Sequence, residues 1–308
     1  MAALEDKTPK EIGRALLKAL KEDNMDAVQY FLTAPDVDVK CFVDADLYTA
    51  LHFAAAKNLA EVARSIVEKG ANINAQDKEG CTPLHYVAKK GSEEIVKMLL
   101  EKGAASNIKA TRYFHTALHF AALMGHASIV KMLLEKYADP SVEDKDGCTP
   151  LHYAAKNGRL EVVRVLLEKA QGDGGESANA RTKNAYTPLH FAVVKGYKDV
   201  TELLLENGAE SNATDDRNYT VLHYAAKKGE VEIVRLLLLK GADVSSTGKD
   251  GKRPQDLTRN PEILADLQSF GAAIEGFTPP EGYKPLEAPF TERQTKIKEF
   301  SPFEKYFN

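Results

Sequence analysis

Apolar residues recur along this chain in a fixed two-part phrase. From Thr149 to Ala170 the first part places Leu151, Ala154 and Ala155 on a narrow face of small side chains. After Gly158 the second part places Val162, Val163, Leu166 and Leu167 at i, i+1, i+4 and i+5. The second set is the stripe of an amphipathic helix. The first is headed by Thr149 and Pro150, residue types suited to an N-cap and to the first helical position. Gly158 supplies a left-handed stop. The phrase therefore predicts two short helices per unit, with alanines that let neighbouring helices come close. Such a pair cannot bury its apolar face alone. A stack of pairs can, provided the end units present polar outer faces.

The phrase repeats. Its anchor, Thr-x-Leu-His, stands at Thr49–His52, Thr82–His85, Thr116–His119, Thr149–His152, Thr187–His190 and Thr220–His223, with threonine spacings of 33, 34, 33, 38 and 33. One further step of 33 reaches Arg253-Pro254, a decayed anchor, followed by an expected outer helix over Pro261–Phe270. Upstream, Ala19 to Leu32 aligns with the second half of the unit.

The stretch DGCTPLHYAAKNGRLEVVRVLLEKA resembles the ankyrin repeat in its period and its TPLH signature, and six anchors in register make the resemblance specific. It implies an all-α ankyrin-repeat solenoid of helix pairs, with β-hairpin or turn fingers projecting from it. The expected layout is a solenoid over 1–275, with an N-terminal cap over about 9–35, six full repeats over about 45–247 and a C-terminal cap over about 248–274. Residues 276–308 form a separate tail rich in proline and aromatics.

Composition narrows the function. Among 308 residues, 41 Lys and Arg against 45 Asp and Glu give a net charge of −4. That balance argues against a dedicated nucleic-acid binder. No apolar run reaches the length of a membrane helix, and Met1 to Lys10 is polar, without a signal-peptide core. The expectation is a cytoplasmic protein, the host cytosol included if it is a secreted effector, and monomeric on its own. Cys41, Cys81 and Cys148 form neither a disulfide framework nor a metal spacing. No catalytic motif is present, so no enzyme activity and no cofactor are expected. Cys81 and Cys148 fall one residue before an anchor threonine, near finger bases, and are expected to be partly accessible.

Six of the eight histidines lie in the anchors, and a residue that recurs with the repeat belongs to the scaffold. In the ankyrin family this histidine hydrogen-bonds between adjacent loops. His126 follows Gly125 in a common variant; His115 is off-pattern. The stripe Phe53, Tyr86, Phe120, Tyr153, Phe191 and Tyr224 is expected to be half buried between inner helices.

The resemblance further implies that a partner binds the concave face, built from finger tips and the exposed side of the inner helices. Inner-helix positions include Lys89 and Lys90, Leu123 and Met124, and Lys156. Finger positions include Tyr48, Arg112, Tyr113, His115, Tyr186 and Tyr219. The third finger holds one extra residue, and its tip reads Thr111-Arg112-Tyr113-Phe114-His115. Exposed aromatics with an arginine have the composition of a binding hot spot, and Leu123-Met124 would add an apolar patch where other repeats place lysine. The competing reading tucks Phe114 between fingers and packs Leu123-Met124 under a neighbour. Tyr113, Phe114, Leu123 and Met124 are the expected anchors. Arg112 and the lysines would orient a protein partner with an acidic surface.

The function expected on this basis is protein binding as an adaptor, inhibitor or effector. Two alternatives stand beside it: a regulatory subunit that engages an enzyme through its tail, and a binder of an acidic polymer or nucleic acid through the groove lysines. Off the groove, Gln171 to Gly175 form an insertion, and Tyr137 replaces the usual glycine after an outer helix. The tail carries seven Phe and Tyr within 33 residues, with a short helix expected over Thr291–Phe300. A solvated linker would be poor in aromatics, so the tail is expected to dock on the last repeats or in the groove, or to be read by another protein.

Overall fold

The computed structural model describes residues 7–34, 37–40, 43–170, 176–272, 274 and 276–284. They form two compact units, 1–171 and 172–308. Among the described residues there are fifteen α-helices, two short 3-10 turns and no strand. The expected hairpin fingers are tight turns, with isolated bridges at Val43–Thr49 and Thr214–Thr220.

The first unit holds five helix pairs. They are α1 (Pro9–Lys21) with α2 (Met25–Leu32), α3 (Ala50–Ala56) with α4 (Ala60–Glu68), α5 (Pro83–Lys90) with α6 (Glu93–Glu101), α7 (Ala117–Met124) with α8 (Ala127–Glu135), and α9 (Pro150–Lys156) with α10 (Leu160–Lys169). The inner helices α1, α3, α5, α7 and α9 pack in sequence, as do the outer helices α2, α4, α6, α8 and α10. Ala54, Ala55, Ala88, Ala121, Ala122, Ala154 and Ala155 are fully buried. Their small side chains allow the close approach that the sequence pattern demands. Leu51, Leu84, Leu118, Ile66, Ile95, Leu99, Ile129 and Leu133 fill the space between the two rows.

The second unit holds α11 (Pro188–Val194) with α12 (Lys198–Glu206), α13 (Val221–Lys228) with α14 (Val231–Leu239), and a closing element. That element is the 3-10 turn Pro254–Leu257 followed by α15 (Pro261–Ser269). The decayed anchor keeps its function by substitution: Asp256 stands where the histidine would be and accepts a bond from the Arg253 amide at 2.8 Å. On α15 the buried Asp266 accepts from Arg235 Nε at 2.9 Å and from the Tyr283 hydroxyl at 2.8 Å. The start of the tail is thus fastened to the closing helix, and its remainder after residue 284 lies outside the described residues. The expected helix over 291–300, the insertion at 171–175 and Cys41 lie outside the described residues.

All six anchors cap their helices, and those at His52, His85, His119 and His223 are inter-repeat ties as well. In the second repeat, His85 Nδ1 accepts the Thr82 backbone N–H at 3.0 Å and lies 2.9 Å from Thr82 Oγ1. An N–H can only donate, so Nδ1 is the acceptor and the ring proton sits on Nε2. Nε2 donates to the His115 carbonyl in the next finger at 3.2 Å. The same arrangement links His52 to the Cys81 carbonyl at 3.0 Å and His119 to that of Cys148 at 3.1 Å. In the second unit His223 reaches the Lys252 carbonyl at 3.0 Å.

Burial holds the imidazoles of His52, His85, His119 and His223 neutral, with His85 and His119 lowered to about 4. Protonation would also set an Nδ1–H against the threonine amide. The unfolded chain binds these protons near pH 6.5, so stability is complete above that pH and is lost as pH falls toward 4. The expected slope in this window is about 1.4 kcal/mol per pH unit for each such histidine. Urea unfolding followed between pH 4.5 and 8 checks it; a flat profile below pH 6.5 contradicts the assignment.

Candidate functional site

Each finger is a three-residue tip closed by a backbone pair. In the second repeat the Asp77 amide donates to the Cys81 carbonyl at 3.0 Å and the Gly80 amide to the Asp77 carbonyl at 2.9 Å. The Asp77 side chain accepts from the amides of Glu79 and Cys81, both at 2.9 Å. Asp44 and Asp144 in the first unit and Asp215 in the second brace their own tips in the same way. The third finger has Ala110 at this position. Its closing pair survives, with the Ala110 amide donating to the His115 carbonyl at 2.8 Å. The extra residue is absorbed in the tip.

The sequence did not suggest what the aromatic stripe does with its polar ends. Tyr86 donates its hydroxyl to Asp77 Oδ2 at 2.6 Å, Tyr153 to Asp144 Oδ2 at 2.7 Å, and Tyr224 to Asp215 Oδ2 at 2.6 Å. The preceding finger supplies a second polar tip to each hydroxyl. Tyr48 Oη meets Tyr86 Oη, His115 Nε2 lies 3.0 Å from Tyr153 Oη, and Tyr186 Oη lies 2.8 Å from Tyr224 Oη. Repeats one and two, three and four, and five and six are thereby clasped in pairs. The signal was legible as an aspartate nine residues before each tyrosine of the stripe; it is absent before each phenylalanine except at Asp44.

Burial alone would raise the carboxyl of Asp144. Hydrogen bonds from His115, Tyr153 and two backbone amides outweigh it and hold the group well below the usual carboxylate range. Burial and the aspartate partner push the Tyr86, Tyr153 and Tyr224 hydroxyls upward.

These contacts sort the expected site residues. Tyr48, His115 and Tyr186 are half buried with their polar ends turned inward to the clasps. His115 also lies 3.3 Å from Asp144 Oδ2 and stacks between Tyr113 and His119. Tyr219 departs from expectation: it is buried, stacked flat on His223, with its hydroxyl given to Asp250 at 2.7 Å. Arg112 is exposed but paired with Glu79 at 3.2 Å, and it lies over the Tyr113 ring at 5.1 Å. Lys89, Lys90 and Lys156 are exposed, and Lys89 Nζ stands 5.9 Å from the centre of the Phe120 ring.

Tyr113, Phe114 and Met124 remain exposed, at 48%, 44% and 40%. The tucked alternative for Phe114 therefore does not hold. Leu123 is half buried, and its carbonyl accepts from Arg159 Nε at 3.3 Å. Tyr113 and Phe114 sit at the tip of the third finger, and Met124 ends α7 in the same repeat, about 12 Å along the helix from its N-cap at 1.5 Å per residue.

The expectation of partly accessible cysteines holds for Cys148 and needs correction for Cys81. Cys81 is buried and Cys148 half buried, and each closes its finger, its amide donating to the aspartate and its carbonyl accepting from the anchor histidine of the preceding repeat. Burial and the neighbouring aspartates push both thiols up to about 12. Among the described residues no group of three His, Cys, Asp or Glu could hold a metal ion, and no helix is long and apolar enough to cross a membrane.

Helix pairs tied through capping histidines, with turn fingers at their heads, define a repeat scaffold whose chemistry is recognition. The family described as ankyrin repeats (3 copies) matches residues 72–144, 108–173, 137–215 and 174–248, and that described as ankyrin repeats (many copies) matches residues 39–87. The chain belongs to the ankyrin-repeat family, and its fold is the ankyrin-repeat solenoid. It is similar to the crystal structure of the human ASB11 ankyrin repeat domain, at 28% identity and a TM-score of 0.66, over 74% of this chain and 100% of that one. No curated protein matches it. Ankyrin repeats are generally protein–protein interaction modules, and their fold is typically a non-catalytic binding scaffold.

Two outcomes test the site. Asp144→Ala leaves two amides and the Tyr153 and His115 donors without their acceptor, and is expected to cost about 3 kcal/mol in urea unfolding. At pH 8 the Cys81 and Cys148 thiols are expected to resist iodoacetamide in the folded chain and to react once urea unfolds it, as read by peptide mass mapping.

Proposed function

We propose that the chain binds another protein through the face that the first unit builds from its fingers and inner helices, as an adaptor, inhibitor or effector without catalysis of its own. The observation that carries this reading is the exposure of Tyr113, Phe114 and Met124 within a single repeat. The equivalent positions of the second repeat hold Glu79, Gly80 and Lys90, and those of the fourth hold Asp146, Gly147 and Asn157. Three large apolar side chains stand exposed at positions that are polar or glycine in those repeats, although the Tyr113 ring also stacks on His115. Once covered, they supply the aromatic-centred contact typical of binding hot spots.

The scaffold suits this role. The third finger, without a bracing aspartate, is held at its base by the Ala110–His115 backbone bond and by His85, so little conformational freedom is lost on docking. The exposed Lys89 and Lys90 on α5 favour a partner that is acidic beside its apolar contact.

The test begins with affinity capture by the full chain and continues with each captured protein after purification. Tyr113→Ala, Phe114→Ala and Met124→Lys are each expected to weaken binding by about 30-fold, or about 2 kcal/mol, in calorimetry. Raising salt from 50 to 200 mM should weaken an apolar-centred complex by less than about tenfold, whereas a complex held by the lysines on an acidic polymer should fall by orders of magnitude. Undiminished binding by all three variants would remove this face as the site.

A further inference from the structure

The seven finger tips close on a residue in the left-handed backbone region, and this position alternates in kind. Gly80, Gly147 and Gly251 hold it with φ of 74°, 80° and 76°, and Asn218, which tolerates the conformation, holds it at 59°. The first, third and fifth fingers instead place Leu47, Phe114 and Ala185 there, at 62°, 62° and 61°. A side chain with a Cβ is strained in this region, and a bulky one most of all. The first and second fingers share one turn, the Leu47 amide donating to the Asp44 carbonyl at 3.0 Å as Gly80 does to Asp77 at 2.9 Å, and the third closes one residue wider, the Phe114 amide donating to the Ala110 carbonyl at 2.9 Å. Nothing in the turn itself calls for leucine or phenylalanine. Both side chains stand 44% exposed. Strain kept at an exposed apolar position points to a use outside the fold.

We infer that Leu47 and Phe114 are a pair of prongs that grip one acidic segment of a partner protein, two repeats apart; this rests on the docking face proposed above and adds a second contact point to it. Helices in adjacent repeats pack about 8–10 Å apart, so the prongs lie about 20 Å apart. That distance spans about six residues of an extended segment or about thirteen of a helix. The strip between them fixes the chemistry of the middle. The tip charges close on each other, Lys78 with Asp46 at 3.4 Å and Arg112 with Glu79 at 3.2 Å. Beside that strip, about 10–12 Å along α5 from its N-cap, the intervening repeat contributes Lys89 and Lys90, both exposed. The segment that fits carries two large apolar side chains with carboxylates between them.

The experiment selects a displayed library of random 16-residue peptides on the full chain. The expected pool has two large apolar residues at one of the two spacings, with Asp or Glu between. Leu47→Gly and Phe114→Gly should each weaken the selected peptides at least tenfold. Glycine relieves the backbone and offsets the lost contacts of a half-exposed side chain, so each variant should melt within about 2 °C of the parent or above it. Ala185→Gly, in the second unit, should leave binding unchanged. Loss of binding in Phe114→Gly with full binding in Leu47→Gly would overturn the paired grip and leave the docking face standing. Failure to enrich such peptides, or undiminished binding in both variants, would overturn the inference. So would a melting temperature lowered by more than about 5 °C in both, which would assign the side chains to packing. Self-association lost on Leu47→Gly, or binding that emerges only when residues 285–308 are removed, would give the prongs to a second copy or to the chain's own tail, and would overturn it as well.

Discussion

A neutral imidazole, buried at the heads of the inner helices α3, α5, α7 and α13, sets the spacing on which the rest of this molecule depends. It takes the first free amide of its own helix on one nitrogen and gives its one proton to the carbonyl of the next finger. Both bonds are needed. A helix N-terminus buried without an acceptor would leave an unsatisfied donor, and a finger carbonyl buried without a donor would be equally costly. Because one ring serves both, helix capping and repeat stacking cannot be separated. The closing turn shows how strict the requirement is: Asp256 replaces the histidine and keeps the capping half of the arrangement, with no further finger required to receive the other half.

Fixing the finger at its base leaves its tip free to vary. The third finger illustrates this. It carries one residue more than its neighbours, yet the His115 carbonyl still accepts from both the Ala110 amide and His85 Nε2. The insertion lies wholly between those fixed points, so it changes what the tip presents and not how the repeats stack. The clasps act a level above. Each joins a phenylalanine-bearing repeat to the tyrosine-bearing repeat after it through a buried aspartate, so the repeat of chemistry is two units long although the repeat of shape is one. The array is better described as three paired modules than as six equal units.

The fold was largely legible in the sequence and the site only partly so, for physical reasons. Thr149, Pro150, Gly158 and the valine-leucine stripe report local backbone preferences and burial, which periodicity expresses directly. The polar end of a side chain is different. Tyr48 and Tyr186 read as groove contacts because a variable aromatic position is usually exposed, but their hydroxyls found partners 38 residues away. Tyr219 read the same way and is buried on His223. Nothing in a single repeat reveals such pairings; the alternation of Asp77, Asp144 and Asp215 with the tyrosines nine residues later does, once repeats are compared two at a time. Leu47 escaped notice because its peculiarity lies in backbone geometry that only the glycines at the equivalent positions betray.

The two levels of order also decide where recognition can occur. A side chain whose polar end is held in a clasp cannot turn outward without abandoning a buried carboxylate, and that cost exceeds what one exposed hydrogen bond returns. The aromatic floor of the fingers is therefore closed to a partner's polar groups, and Arg112 and Lys78 are already occupied across the finger tips. The docking face proposed above draws on what stays exposed: the apolar tips, Met124 at the end of α7 and the lysines of α5. In the first unit these are also the positions at which the scaffold's own preferences for glycine and for polar residues are broken. On that proposal, binding draws on side chains other than those that fix the register, and a tip can bear a strained leucine or phenylalanine while the ties beneath it hold the repeats together.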